Sequence, residues 1–141
     1  MMRLLRPAET VSSILEIDYA GLWEAGKRVL IFDLDKTLGP RRAPRLSPQV
    51  TALLGDLSAR GFRIAVLTNR RRVKGDPVIA GLSRRYPVIH RARKPSKRGF
   101  QALLDRLDAR VEEAVVIGDR LLTDVLGANR IGILAIRVRS T

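Results

Sequence analysis

The chain alternates short, mainly apolar runs with segments of helical period. Residues Val29–Phe32, Phe62–Leu67, Pro87–His90, Ala114–Ile117 and Ile133–Val138 form such runs and read as buried strands. Between the first two, Val50, Leu53, Leu54 and Leu57 recur at i, i+3, i+4 and i+7, behind Ser47-Pro48 and ahead of Gly61. That is a helix with a hydroxyl N-cap, a first-turn proline and a glycine stop. Ser96 is placed to cap a second helix with an apolar face of Phe100, Leu103, Leu104 and Leu107. Pro77–Leu82 and Leu121–Ala128 predict two shorter helices. Upstream, Val11, Ile14, Leu15, Leu22 and Trp23 predict one or two amphipathic helices within residues 1–27, with Trp23 in the core or at its rim.

Repeated strand–helix units with continuous apolar strands predict an α/β protein: a five-stranded parallel sheet with helices on both faces. No internal repeat or low-complexity linker divides the chain, so residues 1–141 read as one domain.

Composition narrows the choice of partners. Lys and Arg number 27 against 14 Asp and Glu, a formal net charge of +13, which favours polyanions: nucleic acid, an anionic membrane surface or phosphorylated substrates. Cysteine is absent, excluding disulfide frameworks and Cys-based zinc sites. No apolar run reaches the length of a membrane span, and Pro7 and Glu9 interrupt the basic N-terminal stretch before a signal-peptide core can form. A cytoplasmic location is expected. An aromatic content of 4% argues against single-strand binding by base stacking, though not against contact with a phosphate backbone.

In open parallel sheets ligands bind beyond the carboxyl ends of the strands, near the point where strand order reverses. The polar residues that follow each expected strand are therefore the candidates. Asp33-Leu34-Asp35-Lys36-Thr37 follows the first, and two carboxylates there can divide nucleophilic and proton-transfer work. Thr68 and Asn69 follow the second, a hydroxyl and an amide suited to phosphate oxygens. Lys94 follows the third, where an ammonium neutralises a transferring phosphoryl group. Gly118-Asp119 follows the fourth, with Asp124 further on, and acids after two strands supply the hard oxygen ligands that Mg²⁺ prefers. Taken singly, each element also reads as a turn residue, a helix cap or a solvated lysine. The four in order, each behind a strand, form a joint signal.

Together they resemble the four motifs of phosphatases of the haloacid dehalogenase (HAD) superfamily: D-x-D-x-T at Asp33 to Thr37, the later Thr68, Lys94, and G-D-x(4)-D at Gly118 to Asp124. Ala92-Arg93-Lys94-Pro95, the stretch Val116 to Val125, and Gly127-Ala128-Asn129-Arg130 further resemble the YqeG-like, class IIIA branch, related to phosphatidylglycerophosphate phosphatases. Two features depart from that branch: Thr68-Asn69-Arg70-Arg71-Arg72 in place of an Asn-rich turn, and no basic C-terminal extension. The resemblance implies a HAD-like Rossmannoid fold and Mg²⁺-dependent hydrolysis through an aspartyl-phosphate. Asp33 would be the nucleophile and Asp35 the acid/base. Asp33, the Asp35 backbone carbonyl, Asp119 and Asp124 would serve the metal, with Thr68, Asn69 and Lys94 on the phosphate.

Only Gly39–Leu46 and Asn69–Tyr86 separate the relevant elements, too little chain for a cap domain. An open site suits a bulky substrate. Its expected rim is basic: Arg41, Arg42 and Arg45, then Arg70, Arg71, Arg72 and Lys74, then Arg91, Arg93, Lys94, Lys97 and Arg98. With the missing cap and the resemblance to the lipid-phosphate branch, these twelve cations imply a phosphorylated lipid at an anionic inner membrane surface. An enzyme of nucleic-acid ends or other phosphorylated macromolecules is the alternative, and a non-catalytic phosphate binder the third reading. A binder has no need of both Asp33 and Asp35.

Overall fold

Apolar strands that bury both faces need cover on both sides, and the chain supplies it by repeated strand–helix crossovers. The computed structural model describes residues 9–68, 70, 74–90, 97–119 and 132–139. Its strands are β1 (Glu9–Val11), β2 (Val29–Asp33), β3 (Arg63–Thr68), β4 (Val88–His90), β5 (Ala114–Gly118) and β6 (Leu134–Val138). The helices are α1 (Tyr19–Glu24), α2 (Pro48–Ala59), α3 (Pro77–Ser83) and α4 (Lys97–Leu107), with 3-10 turns at Ile14–Glu16 and Val111–Glu113. All described strands pair in parallel, in the order β1-β6-β5-β2-β3-β4. The five expected strands are present to within a residue or two. The expected helix at Leu121–Ala128 lies outside the described residues.

The N-terminal segment holds one short α-helix of the one or two expected, and adds an element that periodicity did not predict. Besides α1 and a 3-10 turn, the described part of residues 1–27 holds a three-residue strand. Strand β1 adds a sixth member to the sheet, pairing Glu9 with Ile136 and Val11 with Val138. Three residues carry too little periodicity to announce themselves, and the unpaired edge of β6 supplies the partner they need. Leu15, expected on the apolar face, is 55% exposed, whereas Ile14 is buried.

Side-chain alternation splits the core in two. One face of the sheet carries Leu30, Phe32, Ile64, Val66, Val115 and Ile117, packed with Leu54 and Leu57 of α2 and Val78, Ile79 and Leu82 of α3. The other carries Val29, Ile31, Ala65, Leu67 and Val116, packed with Leu103 and Leu104 of α4. Helix α2 begins as its sequence predicts: Ser47 Oγ accepts from the Val50 N–H at 3.2 Å, and Pro48 occupies the first turn. It ends at Gly61, whose φ of +110° is open to glycine, and whose missing Cβ leaves room for the ring of Trp23. Trp23 is partly buried against the core, edge-on to Phe62 at 5.2 Å, with the Arg28 guanidinium 3.6 Å above its ring.

Among the described residues no cap domain interrupts this sheet. Residues 34–47 join β2 to α2, and residues 69–87, which include α3, join β3 to β4. Among the described residues, no helix is long and apolar enough to cross a membrane.

Candidate active site

Strand order reverses at β2: the chain continues to β3 on one side and later returns to β5 on the other. The carboxyl ends of β2, β3 and β5 therefore stand side by side, where parallel sheets form ligand crevices. Asp33 closes β2 in register with Leu67, one residue short of Thr68 at the end of β3. On the opposite side Phe32 pairs with Ile117, so one further step sets Asp33 beside Gly118 and the following Asp119. Asp33 and Thr68 are buried, with Asp33 8% exposed, and Asp119 is half-buried.

The loop after β2 is shaped by its leucines. Leu34 and Leu38 are both buried in the core, so the chain must fold back within four residues. It does so with the Leu38 N–H donating to the Leu34 carbonyl at 3.0 Å and the Lys36 N–H to Gly39 at 2.7 Å. Lys36 takes a φ of 65°, a conformation uncommon for a side chain larger than glycine and one often found at functional sites. Thr37 is buried, 7% exposed, and among the described residues its Oγ1 has no hydrogen-bond partner. A buried hydroxyl left without a partner is costly.

Asp35 stands at the mouth in a dense hydrogen-bond network. Its Oδ1 accepts from Arg70 Nη2 at 2.6 Å, Arg70 Nε at 3.1 Å and the Arg42 backbone N–H at 2.9 Å. Among the described residues its Oδ2 receives only a longer contact from Arg70 Nε, 3.2 Å. Arg70 is anchored from behind, with Nη1 donating to Asp76 Oδ2 at 2.7 Å. Asp76 caps α3, its Oδ1 accepting from the Val78 and Ile79 N–H groups at 3.0 and 3.2 Å. The Arg70 backbone N–H donates to Thr68 Oγ1 at 3.1 Å. Partial burial pushes the Asp35 carboxyl upward, but the Arg70 hydrogen bonds, the Arg42 N–H and the charges of Arg70 and Arg41 outweigh it and hold it below the usual carboxylate range.

The structure thus brings Asp33, Asp35, Thr68 and Asp119 to one end of the sheet. Asn69, Lys94 and Asp124 lie outside the described residues. Among the described residues no three His, Cys, Asp or Glu side chains gather as a metal cluster. The two carboxylates on adjacent strand ends, Asp33 and Asp119, are still a donor set that suits Mg²⁺, which takes one or two carboxylates and keeps its other positions for water and phosphate oxygens. One expectation for the rim changes. Arg70, counted among loop cations facing solvent, is 9% exposed and neutralised between Asp35 and Asp76. The sequence carried no mark distinguishing it from Arg71 or Arg72, because its partner lies 35 residues away.

Comparison with known proteins agrees with this geometry. A family model described as HAD-hydrolase-like matches residues 91–140. Over its whole length the chain is 34% identical to "Probable phosphatase YqeG" of Bacillus subtilis, covering 83% of that protein. It is 32% identical, over 96% of its own length and 53% of the relative's, to a chloroplastic phosphatidylglycerophosphate phosphatase 1 of Chlamydomonas reinhardtii. The crystal structure of a HAD phosphatase from Thermococcus onnurineus superposes with a TM-score of 0.58 at 28% identity, over 65% of this chain and 46% of that one.

Proposed function

Since the chain belongs to the HAD superfamily of hydrolases and phosphatases, we propose that it is a single-domain, Mg²⁺-dependent phosphomonoester hydrolase that works through Asp33. The observation that carries this reading is the convergence of Asp33, Asp35, Thr68 and Asp119 at neighbouring strand ends around the reversal of strand order. Phosphoryl transfer needs little more from a protein than positioning and charge neutralisation.

In this reading Asp33 attacks phosphorus in line, forming an aspartyl-phosphate as the ester oxygen leaves. Asp35 gives that oxygen a proton, then takes one from the water that hydrolyses the intermediate. Thr68 Oγ1 donates to a phosphoryl oxygen while accepting the Arg70 N–H, and Asn69 and Lys94 complete the phosphate cradle. Asp33, the Asp35 carbonyl, Asp119 and Asp124 would hold Mg²⁺, which when bound supplies charge neutralisation to the phosphoryl group.

The proposed substrate is a phosphorylated lipid head group of the phosphatidylglycerophosphate type, met by a protein docked on the cytoplasmic membrane face. Three features support it: no cap domain among the described residues, the basic residues that follow β2, β3 and β4 in sequence, and the likeness to the Chlamydomonas relative over 96% of this chain and 53% of that protein. The test is a screen of purified protein with Mg²⁺ against lipid, nucleotide, sugar and oligonucleotide phosphates. Preferred hydrolysis of the lipid phosphate is expected. Preference for a phosphorylated oligonucleotide end would replace the lipid, and absence of hydrolysis of any ester would leave a phosphate-binding protein.

A further inference from the structure

We propose that Asp76 and Arg70 form a positioning relay that orients Asp35 with Oδ2 as its working oxygen. The inference rests on the phosphatase reading above, and deepens it at one residue. Three donors converge on Asp35 Oδ1, two from the Arg70 guanidinium and one from the Arg42 backbone, at 2.6, 3.1 and 2.9 Å. Among the described residues Oδ2 receives a single contact, the 3.2 Å shoulder from Arg70 Nε. The two oxygens are thus unequal: Oδ1 has its lone pairs taken, and Oδ2 keeps capacity for a proton. A planar guanidinium fixes the direction of a carboxylate as a point charge does not.

The guanidinium is itself held. Its Nη1 donates to Asp76 Oδ2 at 2.7 Å, and Asp76 Oδ1 is bound to the first turn of α3. Arg70 is 9% exposed, and its backbone N–H is tied to Thr68. The relay therefore runs from a helix terminus seated in the core, through one partly buried arginine, to the acid beyond the end of β2. Its consequence is chemical. In the first step the Oδ2–H bond breaks as hydrogen passes to the ester oxygen, the P–O bond to that oxygen breaks, and the Asp33–phosphorus bond forms. That transfer matters most when the leaving oxygen is a poor alkoxide and least when it departs as a stable phenolate. Geometry of the donor counts for as much as its identity.

The test compares kcat/KM, which reports this first step, for an alkyl phosphomonoester and for p-nitrophenyl phosphate with Mg²⁺ present. Proton donation by a positioned acid contributes roughly 10²–10⁴-fold, so Arg70→Ala should lower the alkyl ester's value by at least about tenfold and the nitrophenyl ester's far less. Arg70→Lys should recover only part of the loss, and Asp35→Asn should show the same discrimination in stronger form. Asp76→Asn keeps a good helix cap while removing the charge behind Arg70, so it should discriminate in the same direction more weakly. It also serves as the test if Arg70→Ala does not fold. Equal losses on both esters, or none, in folded variants would overturn the relay and leave the phosphatase standing. A wild-type protein that hydrolyses neither ester would overturn both.

Discussion

Asp33 and Leu67 are register partners on adjacent parallel strands, which sets the first acid alongside Thr68, the last residue of β3. The carboxylate and the hydroxyl therefore reach the crevice from two strands of one rigid sheet. Asp33→Asn should abolish hydrolysis, by roughly 10³-fold or more, the scale on which removal of a nucleophile acts in other covalent enzymes. The sheet should stay intact, because its core does not use that charge. Steady-state kinetics with far-UV circular dichroism as the folding control would check this. Substantial turnover by a folded Asp33→Asn protein rules out attack by this carboxylate.

Asp119 follows the strand beside β2, and its carboxylate would share the ion with Asp33. Activity should require Mg²⁺, disappear in excess EDTA and return on adding the metal back. Ca²⁺ should substitute poorly, since its larger and looser shell misplaces the reacting groups. Asp119→Asn should raise the Mg²⁺ concentration needed for half-maximal rate. Full activity in chelator would remove the metal from the scheme.

Arg70 is committed to Asp35 and Asp76, so a test of the basic rim must leave it in place. Arg45, Arg71 and Arg72 are the appropriate set. If these loops dock on an anionic bilayer, each should contribute about 1 kcal/mol, and binding should weaken as salt rises. The triple alanine variant should sediment less with anionic vesicles and hydrolyse lipid phosphate more slowly, with little change on p-nitrophenyl phosphate. Unaltered vesicle binding would free the rim of that role.

The depressed titration of Asp35 has a consequence for stability. A carboxyl whose folded value lies below its unfolded one stabilises the fold above the unfolded value, near ~3.9, and loses that contribution as pH falls through the folded value. Thermal melts of wild type and Asp35→Asn, in metal-free buffer, should therefore differ by a constant amount near neutrality and converge in acid, below about pH 4. A gap that widens on acidification would contradict the ion pair.

Much of this protein was legible in its sequence because the relevant physics is local. A strand buried on both faces must be continuously apolar, as Val29–Phe32 and Ala114–Ile117 are. A helix lying on a sheet must repeat its apolar residues at 3–4 positions, as Val50 to Leu57 do, and Ser47-Pro48 marks its start. Strand ends follow from those runs, and with them the positions of Asp33, Asp35, Thr68 and Asp119. What only the tertiary structure decided depends on partners remote in sequence. Strand β1 exists because the edge of β6, more than 120 residues on, offers hydrogen bonds to three residues with no usable pattern of their own. Arg70 meets Asp35 and Asp76, a pairing set by how β3 and α3 pack beside the loop after β2. Period and capping are encoded within a few residues, whereas the pairing of one cation with one acid is fixed only when the sheet closes the distance between them.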